Sequence, residues 1–237
     1  MAERQHLVLC PGLLCDHALW SAQSRALSDL AAPSVADFTR AESIADMARS
    51  VLDAAPDRFA LAGLSMGGYV AQEVIRRAPG RVTRLALLDT SARPESAEQT
   101  RRRRELLALA ARGRFDEVTP RLLPLLVAAD RLADEALCGA IAAMAGRVGP
   151  EAFARQQQAI MGRADGRGEL PRIACPTLVL CGREDRLTPV EHHTELAERV
   201  PSADPVVLAG CGHMSAMERP DAVSAALRHW LARATSS

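Results

Sequence analysis

The chain has 237 residues, with 29 lysines and arginines against 29 aspartates and glutamates. That balance removes any bulk electrostatic case for nucleic acid or an anionic membrane and leaves a small molecule as the expected partner. Apolar residues make up 48% and charged residues 24%, globular proportions that exclude a disordered, fibrous or coiled-coil chain and suit one α/β domain, alone or with an insertion.

At the N-terminus Met-Ala-Glu-Arg-Gln-His leads into only four consecutive apolar residues, Leu7 to Cys10, before Pro11, a run too short for the core of a secretory signal. No apolar run approaches the roughly 18 residues that cross a bilayer, so the expected location is cytoplasmic. Cys10, Cys15, Cys138, Cys175, Cys181 and Cys211 form no CxxC pair and no zinc-like spacing. They are expected as free thiols.

The first apolar run, His6–Cys10, reads as a strand ending in Cys10-Pro-Gly-Leu-Leu14. Gly12 would allow a tight bend there that aims the Leu13 N–H toward a site above the strand. Asp16 reads as a helix cap and Trp20 as a core anchor; His17 stands between pocket wall and surface. A second run follows at Ser34–Phe38 and a third at Phe59–Gly63.

The third run leads directly into Gly63-Leu-Ser-Met-Gly67, and Tyr69, Val70, Glu73, Val74 and Arg77 then recur at helical spacing. A G-x-S-x-G sequence between strand and helix is the pattern of a nucleophile elbow. Glycines two before and two after the serine suit a backbone that turns too tightly for a Cβ, leaving the Ser65 hydroxyl exposed over a helix N-terminus.

A fourth run, Arg84–Leu88, precedes an interval without strands. From Ser91 to Arg167 only helical candidates occur, at Thr100–Ala111, Phe115–Val127, Arg131–Ala145 and Glu151–Met161. We expect a helical cap over residues 91–168, inserted between core segments 1–90 and 169–237. Arg101 to Arg104 fan across about 300° of a helix, so they cannot all face one ligand and are read as a solvated face.

The fifth run, Thr177–Cys181, is followed at once by Gly-Arg-Glu-Asp185, which puts Asp185 at the same sheet edge as Ser65. Asp89 after the fourth run is its rival as a catalytic acid, and Glu184 is one residue out of phase. His192 and His193 lie in a helical segment, Glu191–Val200, and read as surface or core. The sixth run, Pro205–Ala209, leads into Gly-Cys-Gly-His213, which places one imidazole at the Ser65 edge; His6 is at the opposite edge and His229 in the terminal helix. Continuous apolar runs separated by helices indicate a parallel sheet covered on both faces. A serine nucleophile needs a base oriented by an acid, and His213 and Asp185 are the candidates.

These stretches resemble the α/β-hydrolase superfamily over nearly the whole chain, most closely its compact esterases and 3-oxoadipate enol-lactonase-like members. Besides the elbow, the similar segments are Leu88-Asp-Thr-Ser91, Ile173 to Asp185 and Gly212 to Pro220. The resemblance implies an α/β-hydrolase fold and a triad of Ser65, Asp185 and His213, with the Leu13 and Met66 amides as oxyanion donors. Two features depart from the family: Pro11-Gly12 stands where His-Gly is usual, and five residues precede the first strand where a leading antiparallel hairpin is common, so a mostly parallel sheet of about six strands is expected.

The expected activity is hydrolysis of a carboxylic ester, lactone or thioester with a small to medium apolar acyl group, through an acyl-enzyme. Carbon–carbon bond hydrolysis of a diketone and ligand sensing on the same scaffold are the alternatives. Leu14, His17, Leu122, Leu126, Met144, Met161 and Met214 are the candidate substrate contacts. No P-loop or dinucleotide fingerprint occurs, so no cofactor and no metal is expected; the partner is a small-molecule ester or lactone, without nucleic acid or membrane, and the chain a monomer or homodimer.

Overall fold

The apolar runs become six parallel strands: β1 (Gln5–Cys10), β2 (Ala31–Val35), β3 (Phe59–Leu64), β4 (Val82–Leu88), β5 (Thr177–Gly182) and β6 (Ala203–Leu208). The computed structural model describes residues 4–233. The strands lie in the order β2-β1-β3-β4-β5-β6, so the chain runs outward from β1 to β2 and then crosses back over β1 to β3. In open parallel sheets, ligands bind beyond the strand carboxyl ends at such a reversal. Here that crevice lies between the ends of β1 and β3.

Alternate strand residues feed two separate cores, as the two-residue period of a strand requires. Val8, Cys10, Leu61, Leu85, Leu87 and Val179 pack beneath α2 (Ile44–Ala54), α3 (Met66–Arg77) and α7 (Val190–Arg199). Leu7, Leu9, Ala60, Ala62, Leu64, Leu178 and Leu180 face Trp20 and Leu27, which flank α1 (Ser21–Ala26), and the terminal helix Pro220–Ala232, whose Trp230 donates its indole N–H to the Pro176 carbonyl at 3.2 Å. Trp20 is fully buried, and Asp16 caps the turn that carries it by accepting the Ala18 N–H at 2.9 Å.

Between β4 and β5 the chain is helical: α4 (Ala97–Ala111), α5 (Val118–Leu126) and α6 (Glu135–Met161). These helices share an apolar cluster of their own, built on Leu106, Leu109, Val118, Leu122, Val148 and Phe153. α4 begins three residues earlier than its apolar pattern indicates because Ser96 and Gln99 form a reciprocal capping box. α6 starts at Glu135, capped by Asp134, rather than at Arg131, and the two expected helices join into one span broken at Gly149, with φ 78°, just before Pro150.

The second strand is displaced from its expected position. It covers Ala31–Val35 instead of Ser34–Phe38, and Pro33 lies inside it. Proline lacks a ladder donor and is tolerated on an edge strand, and β2 is an edge. Phe38 is buried all the same, in the core beneath α2. Among the described residues, no helix is long and apolar enough to cross a membrane.

Candidate active site

β3 ends at Leu64 and α3 begins at Met66, so Ser65 alone makes the turn, with φ 55° and ψ −115°. A non-glycine residue holds such a conformation only when its surroundings enforce it. They do so through the Ser65 N–H, which donates to the Leu88 carbonyl at 3.0 Å, and the Ser65 carbonyl, which accepts from the Gly68 N–H at 2.9 Å and the Thr90 hydroxyl at 2.8 Å. A Cβ at Gly63 would fall on the Gly67 carbonyl, and one at Gly67 on the Cys10 carbonyl. The two glycines are therefore set by backbone crowding around the serine.

The Ser65 hydroxyl lies 2.8 Å from His213 Nε2, and His213 Nδ1 lies 2.8 Å from Asp185 Oδ2. Asp185 Oδ1 accepts the Leu187 and Thr188 N–H groups at 2.8 and 2.9 Å, and Oδ2 also accepts the Thr188 hydroxyl at 2.8 Å. A carboxylate so supplied with donors takes its proton from none of them, so Nδ1 carries the imidazole hydrogen and Nε2 is free to accept from Ser65. Burial alone would raise the Asp185 carboxyl; the facing His213 and these donors outweigh it and hold the group below its ordinary range. For His213, burial pulls downward, and the Asp185 carboxylate overrides it, raising the imidazole above its ordinary value.

Neither the Met66 nor the Leu13 N–H has a protein hydrogen-bond partner among the described residues. The first is at the N-terminus of α3, where unsatisfied amides and the helix dipole favour negative charge. In the second loop, Leu14 and not Gly12 takes the left-handed conformation, with φ 59°. The buried Gln156 of α6 holds it there by accepting the Leu14 N–H on Oε1 at 3.0 Å. A bend attributed to a flexible glycine is thus built by a clamp from the helical segment.

A cavity of about 80 Å³ opens over Ser65 and His213, walled by Leu13, Leu14, Leu106, Leu122, Leu126, Ile141 and Met214, with Gln99, Arg102, Arg103 and Gln157 among its polar lining. Cys15 also borders it, but burial pushes that thiol up to about 12, which keeps it protonated and unreactive near neutral pH.

The sequence model of the alpha/beta hydrolase family matches residues 7–226. The chain belongs to the alpha/beta hydrolase family. A thermophilic esterase from Thermogutta terrifontis, solved with malate bound, superposes with a TM-score of 0.89 at 28% identity, over 98% of this chain and 91% of that one. The enol-lactonase from Burkholderia xenovorans LB400 gives 0.88 at 26% identity, over 98% and 93%. The Escherichia coli O1:K1 protein named "Putative carbamate hydrolase RutD" is 27% identical over 205 residues, 83% of this chain and 74% of that protein.

In this alpha/beta hydrolase, Ser65, His213 and Asp185 come together, and Leu14, Leu122, Leu126 and Met214 reach the cavity wall. His17, Met144 and Met161 do not. His17 is exposed on the turn after β1, Met144 is fully buried in the core beneath the sheet, and Met161 ends α6 half-exposed. α6 is apolar on more than one face, and Ile141 packs in the same core cluster as Met144 while also bordering the cavity, so sequence spacing did not separate the cavity-lining positions, Ile141 and Ala145, from Met144. The arginine run also divides: Arg102 and Arg103 border the cavity, while Arg101 and Arg104 stay exposed.

Three further buried polar residues brace the site: Glu218, which the sequence did not single out, Asp89, and His193. Glu218, 2% exposed, accepts the Gly212 and Met214 N–H groups on Oε1 at 3.0 and 3.2 Å and the Ala128 N–H on Oε2 at 2.8 Å. Asp89, the rival acid, does not touch His213. It accepts the Gly182 N–H at 3.2 Å and both the N–H and hydroxyl of Ser215, tying the ends of β4 and β5 to the histidine loop. Burial and the nearby Asp185 push its carboxyl well above the ordinary range. His193 accepts the Thr90 N–H on Nε2 at 2.9 Å, and burial lowers it to about 4, so it stays neutral as a brace. Glu218 and His193 carried no advance signal beyond a polar side chain in a helical segment, whereas Asp89 was marked by its place at a strand end.

Proposed function

We propose that this hydrolase cleaves a carboxylic ester, lactone or thioester of a small to medium acyl group by serine acyl transfer. The observation that carries the reading is the continuous chain from Ser65 Oγ to His213 to Asp185, with 2.8 Å at each link. Ser65 Oγ attacks the carbonyl carbon as His213 Nε2 takes its proton, and Asp185 stabilises the imidazolium so formed. The Leu13 and Met66 amides donate to the developing oxyanion. Collapse expels the alcohol, which takes the proton from His213. Water then attacks the acyl-enzyme, giving its proton to His213 and, through it, to the departing Ser65 oxygen. The esterase and enol-lactonase among the similar structures support ester and lactone bonds as the target, and the small cavity supports a short acyl chain.

α4, α5 and α6 act in this scheme as a cap: they supply the cavity roof and a cluster separate from the sheet cores. The six free cysteines suit a reducing, cytoplasmic setting.

Fluorophosphonate labelling followed by peptide mass spectrometry is expected to place one adduct on Ser65; an adduct on another residue, or none, overturns the assignment. The pH profile gives a second test. The base must be neutral, so kcat/KM should fall as pH drops through the His213 pKa, and Asp185 sets that midpoint above the ordinary 6.5. An acid limb centred below 6.5 would contradict the arrangement.

A further inference from the structure

The cavity over Ser65 is apolar along most of its wall, but one end is not. There Gln157 of α6 meets Arg103 of α4, and Arg102, whose own partner is Glu98 at 3.5 Å, also borders the cavity. Gln157 is fully buried; its Oε1 accepts from Arg103 Nη1 at 2.8 Å, and its Nε2 has no hydrogen-bond partner among the described residues. The guanidinium fixes the orientation of the amide, since the flipped form would set donor against donor. A buried amide donor without an acceptor is destabilising. Its place in a cavity wall points to an acceptor that arrives with a ligand.

The surrounding charge has a definite sign. The Glu95 carboxylate, 3% exposed, is shared by Arg103, at 2.9 Å, and Arg163, which lies over the Tyr69 ring at 4.3 Å. Two guanidiniums against one carboxylate leave a positive charge largely out of water, and no aspartate or glutamate is among the residues lining the cavity. Amide and guanidinium donors side by side match the planar, two-oxygen face of a carboxylate.

We propose that this end of the cavity is a carboxylate subsite, and that the hydrolase takes short esters or lactones whose acyl part bears a free carboxylate a few bonds from the scissile carbonyl. The proposal rests on Ser65 being the nucleophile, and it names the substrate class of that same site. The acyl part is the one held through both chemical steps, so fixed charge beside the nucleophile acts on it throughout. A free volume of about 80 Å³ restricts the spacer to a few carbons.

The test compares monoethyl succinate and monoethyl glutarate with their half-amides, which have nearly the same shape without the charge. For the wild type, kcat/KM is expected to favour the half-acids by at least about ten-fold. Gln157→Glu, which puts a negative charge at the subsite, should lower that ratio by about ten-fold or more, and Arg102→Gln by less, whereas Arg104→Gln on the outer face should preserve it. Glutarate binding, measured by calorimetry without turnover, should weaken in Gln157→Glu. Ester turnover with a half-acid to half-amide ratio near one overturns the subsite and leaves the nucleophile assignment standing. Glutarate binding that is lost in Gln157→Glu, in a protein that hydrolyses none of these esters, supports the subsite and overturns the proposed chemistry.

Discussion

Replacing Ser65 with alanine is expected to lower kcat by on the order of 10⁵ while leaving the protein folded. The hydroxyl is the only part of the side chain with a chemical role in the proposed scheme. Its removal leaves the oxyanion donors and the cavity, which keep a small residual rate above the uncatalysed reaction. The fold should survive because the turn is held by backbone contacts: the Ser65 N–H to Leu88, and the Gly68 N–H and Thr90 hydroxyl to the Ser65 carbonyl. Alanine retains the Cβ and inherits the same backbone conformation. Circular dichroism and thermal melting should match the wild type, and steady-state turnover of a monoethyl ester should fall to that residual rate. Activity within about a hundred-fold of the wild type would remove Ser65 from the mechanism.

Glu218→Leu is expected to destabilise the protein by about 3–5 kcal/mol, lowering Tm by roughly 10 °C. The buried carboxylate is the acceptor for the Gly212, Met214 and Ala128 amides. Leucine fills the space but accepts nothing, so donors that cannot reach water lose their partners. The loss also reaches function, because Gly212 and Met214 flank His213. kcat/KM should therefore fall at temperatures where the variant is still folded. Glu218→Gln should cost less, since its amide oxygen can still serve Gly212 and Met214 while its NH₂ opposes the Ala128 N–H. A Tm within about 2 °C of the wild type for Glu218→Leu would show that these hydrogen bonds are not limiting.

The contrast between Ser65 and Glu218 shows where sequence is informative. The elbow is legible because its glycines answer to backbone crowding at the turn, Gly63 against Gly67 within it and Gly67 against Cys10 at the end of the neighbouring β1. Asp185 and His213 are legible because each follows an apolar strand, and the parallel sheet puts every strand end at one edge. Glu218, Gln156 and His193 answer instead to amides far away in the chain, such as those of Ala128, Leu14 and Thr90. No spacing rule joins them. The same limit explains Met144, which lies one turn from Ile141 and shares its core cluster without reaching the cavity, because the rotation of a helix that is apolar on two sides is set by its neighbours. β2 illustrates a different limit. Proline is a fair argument against a strand interior, and it loses its force once the strand lies at an edge, a fact of topology rather than of local sequence.

The Leu126 carbonyl, at the end of α5, accepts the backbone N–H of both His213 and Met214, at 2.9 and 3.0 Å. In the proposed scheme, that carbonyl gears the cavity roof to the general base. If the roof swung away at this corner, it would drag the imidazole off the serine and disengage the chemistry. In the proposed scheme the passage for reactants then opens on the α4 side, where half-exposed Arg102 is held only by a 3.5 Å contact with Glu98, and a protein caught half-ajar at α5 would be inert toward water as well as toward its substrate.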